Sequence, residues 1–182
     1  GPQVLAAAKE DTLPVVVRAA AMEAMAGMEL PAAEKVLLAA ASASQPAPLR
    51  SAAVQSLAGL DIQNAATQAV GLFTDKQLEK ADARTTLKAI LGRDGGAEAL
   101  AGALQTTPLD AEAARRLLEA LFSTGRSDAP LVSILGQAIG TARNAPEYDQ
   151  GYVKKLAAGA GQDGKADRGA LIFKAKACAS CH

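Results

Sequence analysis

Apolar residues recur along the chain with the spacing of amphipathic α-helices. In the clearest example, four apolar residues take positions i, i+3, i+4 and i+7 on one helical face: Ala114, Leu117, Leu118 and Leu121. No stretch alternates apolar and polar residues for long enough to favour a strand. The pattern therefore predicts about nine antiparallel helices over residues 3–158 and no sheet.

One helical segment recurs at intervals of about 32 residues. Residues 18–28 match residues 50–60, a shifted copy covers 86–92, and a fourth copy covers 114–122 with Ser123 at its end. The first three copies share a glycine near the end of the segment: Gly27, Gly59 and Gly92. These positions are where a glycine cap at a helix C-terminus is expected.

A second apolar helix is predicted between successive copies, so the repeating unit is a pair of helices. After a turn signal at residues 61–64, four apolar residues repeat the helical spacing: Ala66, Ala69, Val70 and Phe73. Four prolines fall at predicted first turns or connections: Pro14, Pro31, Pro108 and Pro130. Two more, Pro46 and Pro48, are predicted to lie between helices. Helix pairs that bury their apolar faces on their neighbours form a one-dimensional stack, so the predicted fold class is an all-α αα-repeat solenoid.

Two copies carry a family resemblance. Val17-Arg18 with the Ala-rich helix that follows, and residues 49–60, resemble the second helix of HEAT repeats. Tetratricopeptide units have a similar length, but their characteristic aromatic residues are missing. The resemblance implies a HEAT/armadillo-like superhelix over residues 3–158, of the kind that serves as a scaffold or docking surface.

Composition and charge agree with this interpretation and narrow the partners. Aromatic residues make up 3% of the chain, Trp is absent, and Ala, the strongest helix former, is abundant. The 19 basic residues balance the 19 acidic ones without a block of like charge, which is not typical of a nucleic-acid binder. No apolar run approaches the roughly 20 residues that span a bilayer. We therefore expect neither a nucleic-acid partner nor membrane contact.

Residues 3–158 offer no catalytic constellation. They contain no His and no Cys, and their carboxylates do not cluster on one predicted face. Three methionines follow the helical spacing and are predicted to be core residues: Met22, Met25 and Met28. No catalytic residue is predicted, and residues 1–2, Gly-Pro, resemble the scar of a protease-cleaved tag.

The last five residues, Cys178-Ala-Ser-Cys-His182, spell C-x-x-C-H, the signature of covalent c-type haem attachment. Two thiols about one helical turn apart can each form a thioether with a haem vinyl group, and the adjacent imidazole can bind the iron as proximal ligand. The predicted haem-binding residues are Cys178 and Cys181, and the predicted iron ligand is His182.

Other interpretations of these residues remain open. A thioredoxin-like C-x-x-C normally belongs to a βαβ unit, which the pattern does not predict, and structural zinc needs four ligands where the chain holds two Cys and one His. A chance match is the third alternative. Residues 159–164 also spell G-x-G-x-x-G, but they follow a helical pattern rather than a strand, which favours a Gly-rich linker over dinucleotide binding.

The sequence before the motif also resembles a known family. Residues 167–178 resemble the N-terminal helix of class I cytochromes c, in which a glycine and an aromatic four residues later face the closing helix, as Gly169 and Phe173 would here. Phe173 lies one residue further from the first cysteine than in many members. The predicted domains are a repeat domain at 3–158, a linker at 159–166 and a truncated cytochrome c helix at 167–182.

The order of these segments resembles large multidomain haem-binding proteins of planctomycetes and verrucomicrobia. That resemblance implies a periplasmic or exported electron-transfer protein, with haem c in the longer parent protein and none in this fragment. Its partner would be a redox protein or a neighbouring domain, such as a sugar-dehydrogenase-like domain. The fragment itself is not expected to be an enzyme, whereas the parent would be an oxidoreductase or an electron-transfer subunit. The alternative is an interaction module that binds a peptide or partner protein on the solenoid surface.

Overall fold

The computed structural model describes residues 1–28, 30, 32–140 and 150–175, and every regular element in them is an α-helix. The helices are α1 (Pro2–Lys9), α2 (Val15–Gly27), α3 (Ala33–Ala40), α4 (Ala47–Leu57), α5 (Ile62–Phe73), α6 (Lys80–Leu91), α7 (Gly96–Thr106), α8 (Ala111–Ser123), α9 (Ala129–Ile139), α10 (Gln150–Asp163) and α11 (Ala166–Ala175). The all-α prediction is confirmed for this part of the chain. None of its helices is long and apolar enough to cross a membrane.

The chain divides into two compact units, Gly1–Arg143 and Asn144–His182. Helices α1 to α9 belong to the first unit, and α10 and α11 belong to the second. The structure differs here from the predicted linker at 159–166, because α10 continues through Gly159 and Gly161 and ends at Asp163. An isolated glycine inside a helix costs only about 1 kcal/mol, so neither residue is sufficient to end it.

Helices of the first unit pack in two interleaved series. Helices α2, α4, α6 and α8 each contact the next member of that series, and α5, α7 and α9 do the same. Consecutive helices also pack on each other from α1 through α7, and α8 packs on α9. Every internal helix of this unit therefore contacts at least two others.

The predicted apolar faces form the core of these contacts. On α5 the four predicted residues are all buried: Ala66, Ala69, Val70 and Phe73. On α8, Ala114, Leu117 and Leu121 are buried and Leu118 is half-buried. Many core residues are alanines, whose small side chains let neighbouring helices approach closely.

The methionine prediction is correct at two positions and wrong at the third. Met22 and Met25 on α2 are fully buried, whereas Met28 is 54% exposed. Met28 is the C-cap residue of α2 and keeps helical backbone geometry, but six residues of a helix turn about 240°, so it does not share the face of Met22.

The repeated glycines lie at helix ends as predicted, but they do not form left-handed caps. Gly27 is the last residue of α2, Gly59 follows the cap of α4, and Gly92 caps α6 with a φ of −81°. Gly59 instead permits a close approach, because a Cβ there would lie 3.2 Å from Arg93 Nη2. Left-handed glycines instead follow α8 and α9: Gly125 has a φ of 78° and Gly140 a φ of 80°.

Prolines and aspartates begin several helices. Pro14 and Pro46 are N-caps of α2 and α4, and both Pro48 and Pro130 lie in first turns. Pro108 lies in the connection between α7 and α8, and Pro31 is outside the described residues. On α5 and α8 the N-caps are Asp61 and Asp110, whose carboxylates accept hydrogen bonds from backbone N–H groups of the first turn.

Candidate functional site

The predicted haem-binding residues Cys178, Cys181 and His182 lie outside the described residues. The structure describes the helix that leads toward them, α11, which carries Gly169 and Phe173. Among the described residues, no group of three or more His, Cys, Asp and Glu side chains could hold a metal ion.

Helix α11 exposes an apolar surface. Leu171, Ile172 and Phe173 are 69%, 51% and 43% exposed, which is unusual for three large apolar side chains in succession. A helix of ten residues is marginal in water unless it packs against something. Helix α11 is therefore expected to need another apolar surface that packs against these three side chains.

A second candidate site lies in the first unit, between α6, α8 and the connection from α5 to α6. It is a cavity of about 470 Å³. Its apolar walls include Phe73, Leu78, Leu117 and Ala120. Five charged side chains also line it: Asp75, Lys80, Arg84, Arg116 and Glu119. An apolar pocket of this size with a few polar groups is typical of small-molecule sites.

Arg116 on α8 reaches the C-terminus of α5. Its Nη2 donates to the Phe73 carbonyl oxygen at 3.4 Å and its Nη1 to the Asp75 carbonyl oxygen at 3.5 Å. Carbonyls at the end of a helix lack partners inside it, so a guanidinium is a suitable donor there. The Nε of Arg116 is buried and has no hydrogen-bond partner among the described residues.

The carboxylate of Asp75 is already paired with another arginine. Its Oδ2 accepts a hydrogen bond from Arg50 Nη1 at 2.9 Å, and the Arg50 side chain is almost wholly buried. Arg50 Nε also donates to the Ala41 carbonyl oxygen at the end of α3, at 3.4 Å. Asp75 is therefore engaged by α4 and does not neutralise Arg116.

The rim of the cavity carries the remaining charges. Lys80 and Glu119 form an ion pair at 3.4 Å between two exposed side chains, a kind of pair that contributes little to stability. Arg84 is exposed and, like Arg116, forms no ion pair within the part of the chain that the structure describes. Neither of these two guanidinium groups beside the cavity thus has a carboxylate within ion-pair distance among the described residues.

Asp110 at the start of α8 is a carboxylate within electrostatic reach of Arg116. The pKa of the Asp110 carboxyl is lowered, chiefly by the Ala113 N–H that it accepts, with a further contribution from the charge of Arg116. Asp110 begins α8 and stays ionised near neutral pH. It does not line the cavity.

Sequence reasoning did not single out Arg84 and Arg116. A signal was present, because the two arginines are about 32 residues apart, one repeat interval. Residues one interval apart occupy corresponding places on successive helices of a series, and α6 and α8 are in contact. The interval alone does not reveal the cavity between them, which depends on the path of residues 74–79.

Comparisons of the chain with protein-family models, curated proteins and solved structures give no match. The resemblances to HEAT repeats and to cytochromes c consequently rest on the motifs themselves.

Proposed function

We propose that the first unit is an αα-repeat solenoid that acts as the scaffold of a c-type cytochrome protein, with the haem domain beginning at α11. The observation that carries the proposal is the helix α11, which precedes the C-x-x-C-H motif and exposes three successive apolar side chains. In the family that this segment resembles, a helix stands at the same place and packs against the rest of the haem domain.

The packing of the first unit supports the solenoid. Contacts run from each member of a series to the next, α2 to α4 to α6 to α8 and α5 to α7 to α9. In a repeat protein each unit contacts mainly its neighbours, which produces this kind of contact pattern. A HEAT/armadillo-like superhelix is the architecture that we propose on this basis.

The donor set at the C-terminus fits haem c. Thiols at Cys178 and Cys181 would form the two thioethers, and the His182 imidazole would bind the iron on the proximal side. Haem bound in this way supplies one-electron transfer. Gly169 would let another helix approach α11 closely, since it has no side chain, and Phe173 would add apolar contact.

Partners and compartment follow from the same proposal. Haem of the c type is attached outside the cytoplasm, so the proposed location is periplasmic or exported. The proposed electron donor or acceptor is a redox protein or a neighbouring domain of the same chain, including a sugar-dehydrogenase-like domain. The solenoid would hold the haem domain at a defined distance from that partner.

Periplasmic expression tests the proposal directly. A chain that continues into the native sequence beyond His182 is produced with the cytochrome c maturation machinery and stained for haem on a denaturing gel. We expect covalent stain in this protein, weak or no stain in Cys178→Ala and Cys181→Ala, and none in the double variant. Ser180→Ala, inside the motif at a variable position, is the matched control and should stain fully. Equal staining of the double variant and the control would refute the assignment.

A further inference from the structure

We propose that the cavity between α6 and α8 binds a small carboxylate with an apolar body, with Arg84 and Arg116 as its cationic partners. The proposal does not depend on haem attachment. It begins from the two guanidinium groups that line one cavity and form no ion pair within the described residues.

The other charged groups of the cavity do not compensate these arginines. Asp75 is held by Arg50 at 2.9 Å, and Glu119 pairs with Lys80 at 3.4 Å. Each of the two lining carboxylates is thus paired with another cation, and the nearby Asp110 does not line the cavity, so Arg84 and Arg116 have no lining carboxylate as partner. An anion is the ligand charge that the cavity favours.

Arg116 is also incompletely hydrogen-bonded. Its two terminal nitrogens make long bonds of 3.4 and 3.5 Å to backbone carbonyls, and its Nε has no partner among the described residues. A buried donor without an acceptor is destabilising, so a small shift of this side chain toward an anionic acceptor would be favourable. Carboxylates suit a guanidinium because the two groups can form paired hydrogen bonds.

The walls of the cavity determine the rest of the ligand. Phe73, Leu78, Leu117 and Ala120 present an apolar surface to a volume of about 470 Å³. This volume lies within the roughly 300–1,000 Å³ of small-molecule sites. An apolar chain or ring attached to the carboxylate would displace water from these walls, whereas an inorganic anion would not.

The cavity is local, which favours a small molecule over an extended peptide. Its lining residues come from the end of α5, the following connection, α6 and α8. The cleft between α2 and α4, in the same helix series, shares none of these lining residues. A peptide would need a groove that continues from one repeat to the next.

Calorimetric titration with octanoate, hexanoate and 1-octanol tests whether the cavity requires a carboxylate and whether it binds an apolar chain. We expect saturable binding of octanoate at one site, binding of 1-octanol weaker by at least about tenfold, and a loss of about fourfold for each methylene removed. Octanoate binding should also weaken as NaCl is added, because salt screens the charge contribution. Absence of saturable octanoate binding, or equal binding of 1-octanol, would overturn the proposal.

Substitutions locate the site. Arg84→Gln should weaken octanoate binding by about tenfold, since Arg84 is exposed and its replacement should not disturb the fold. Arg115→Gln, an exposed neighbour on α8 that does not line the cavity, is the matched control and should bind octanoate as the unmodified protein does. Ala83→Leu, which narrows the cavity, should reduce binding of both octanoate and 1-octanol. Equal effects of Arg84→Gln and Arg115→Gln would place the ligand elsewhere and overturn the assignment.

Discussion

Arg50 and Asp75 form an ion pair with 2.9 Å between Nη1 and Oδ2, and only 24% of the Asp75 side chain is exposed. One repeat earlier, Arg18 pairs with Asp11 at the same distance, but Asp11 is 78% exposed. Each arginine also donates from Nε to a carbonyl at the end of the preceding helix, Ala41 or Ala8. Successive repeats therefore share the contact from arginine Nε to a carbonyl, whereas the paired aspartate precedes Arg18 in the sequence and follows Arg50.

Removing the two carboxylates should have unequal effects on stability. Asp75→Ala leaves the buried Arg50 charge without its partner, and we expect the free energy of unfolding to fall by about 3 kcal/mol. Asp11→Ala is the comparison variant, and we expect a smaller loss: although Arg18 is itself buried, Asp11 is 78% exposed, so water can replace its carboxylate beside the guanidinium. Urea unfolding followed by circular dichroism measures both values. Similar losses in the two variants would contradict this account.

Two glycines of α7 should respond to alanine with opposite signs. A Cβ on Gly96 would overlap the carbonyl oxygen of Ile90, so Gly96→Ala should lower the midpoint of thermal unfolding by several degrees. Gly102 lies in the same helix with no atom near its Cβ position, and Gly102→Ala should raise stability by about 0.5–1 kcal/mol. Calorimetry of both variants checks the prediction, and a loss of stability in Gly102→Ala would contradict it.

Alanine substitutions of Met22 in α2 and of Met28 at its C-terminal cap should have different effects on stability, because the first side chain is buried and the second is exposed. Met22→Ala removes a fully buried side chain, and we expect a loss of about 2–5 kcal/mol in the free energy of unfolding. Met28→Ala removes a side chain that is largely exposed and should change stability by less than about 0.5 kcal/mol. Denaturant titration of both variants is the measurement. A large loss in Met28→Ala would indicate that this side chain packs against something in solution.

Acid should weaken the contact that Arg126 makes between α6 and the start of α9. Arg126 donates to both carboxylate oxygens of Asp128, at 3.0 and 2.8 Å, and to the Leu91 carbonyl oxygen at 2.8 Å. These hydrogen bonds lower the pKa of Asp128 from its ordinary value of 3.8. The stabilisation is thus present above about pH 3.8 and is lost as the pH falls through the lower, folded-state pKa. Asp128→Asn should be less stable than the parent at neutral pH, and the gap should narrow under strong acid.

The pKa of Asp82 is shifted in the opposite direction from that of Asp128. Burial, and then the nearby charge of Glu79, raise the pKa of Asp82 above 3.8. Its ionisation therefore disfavours the folded state as the pH rises through the raised pKa. Asp82→Asn should unfold at a higher temperature than the parent at neutral pH, with a smaller difference in acid. Thermal unfolding at several pH values tests both aspartates, and parallel curves for the two variants would contradict the assignments.

Local patterns predicted the helices well because a helix and its buried face depend on residues three or four positions apart. The face of α5 from Ala66 to Phe73 was predicted in this way, and the structure buries it. The same reasoning was wrong for Met28, the C-cap of α2, which is 54% exposed and does not share the face of Met22. It also placed a linker at Gly159 and Gly161, where hydrogen bonds within α10 outweigh the low helix propensity of glycine.

The sequence by itself determined that the described part of this protein is helical. It is also the whole basis for the haem prediction, which rests on the residue types and spacing of Cys178, Cys181 and His182. Tertiary structure decided which charges meet. Arg50 reaches Asp75 and Arg116 reaches Phe73 across 25 and 43 residues of chain. Such contacts depend on how helices stack and on the path of the connections between them, and short-range patterns carry no information about either. The cavity lined by Arg84 and Arg116, which form no ion pair within the described residues, is a consequence of that stacking.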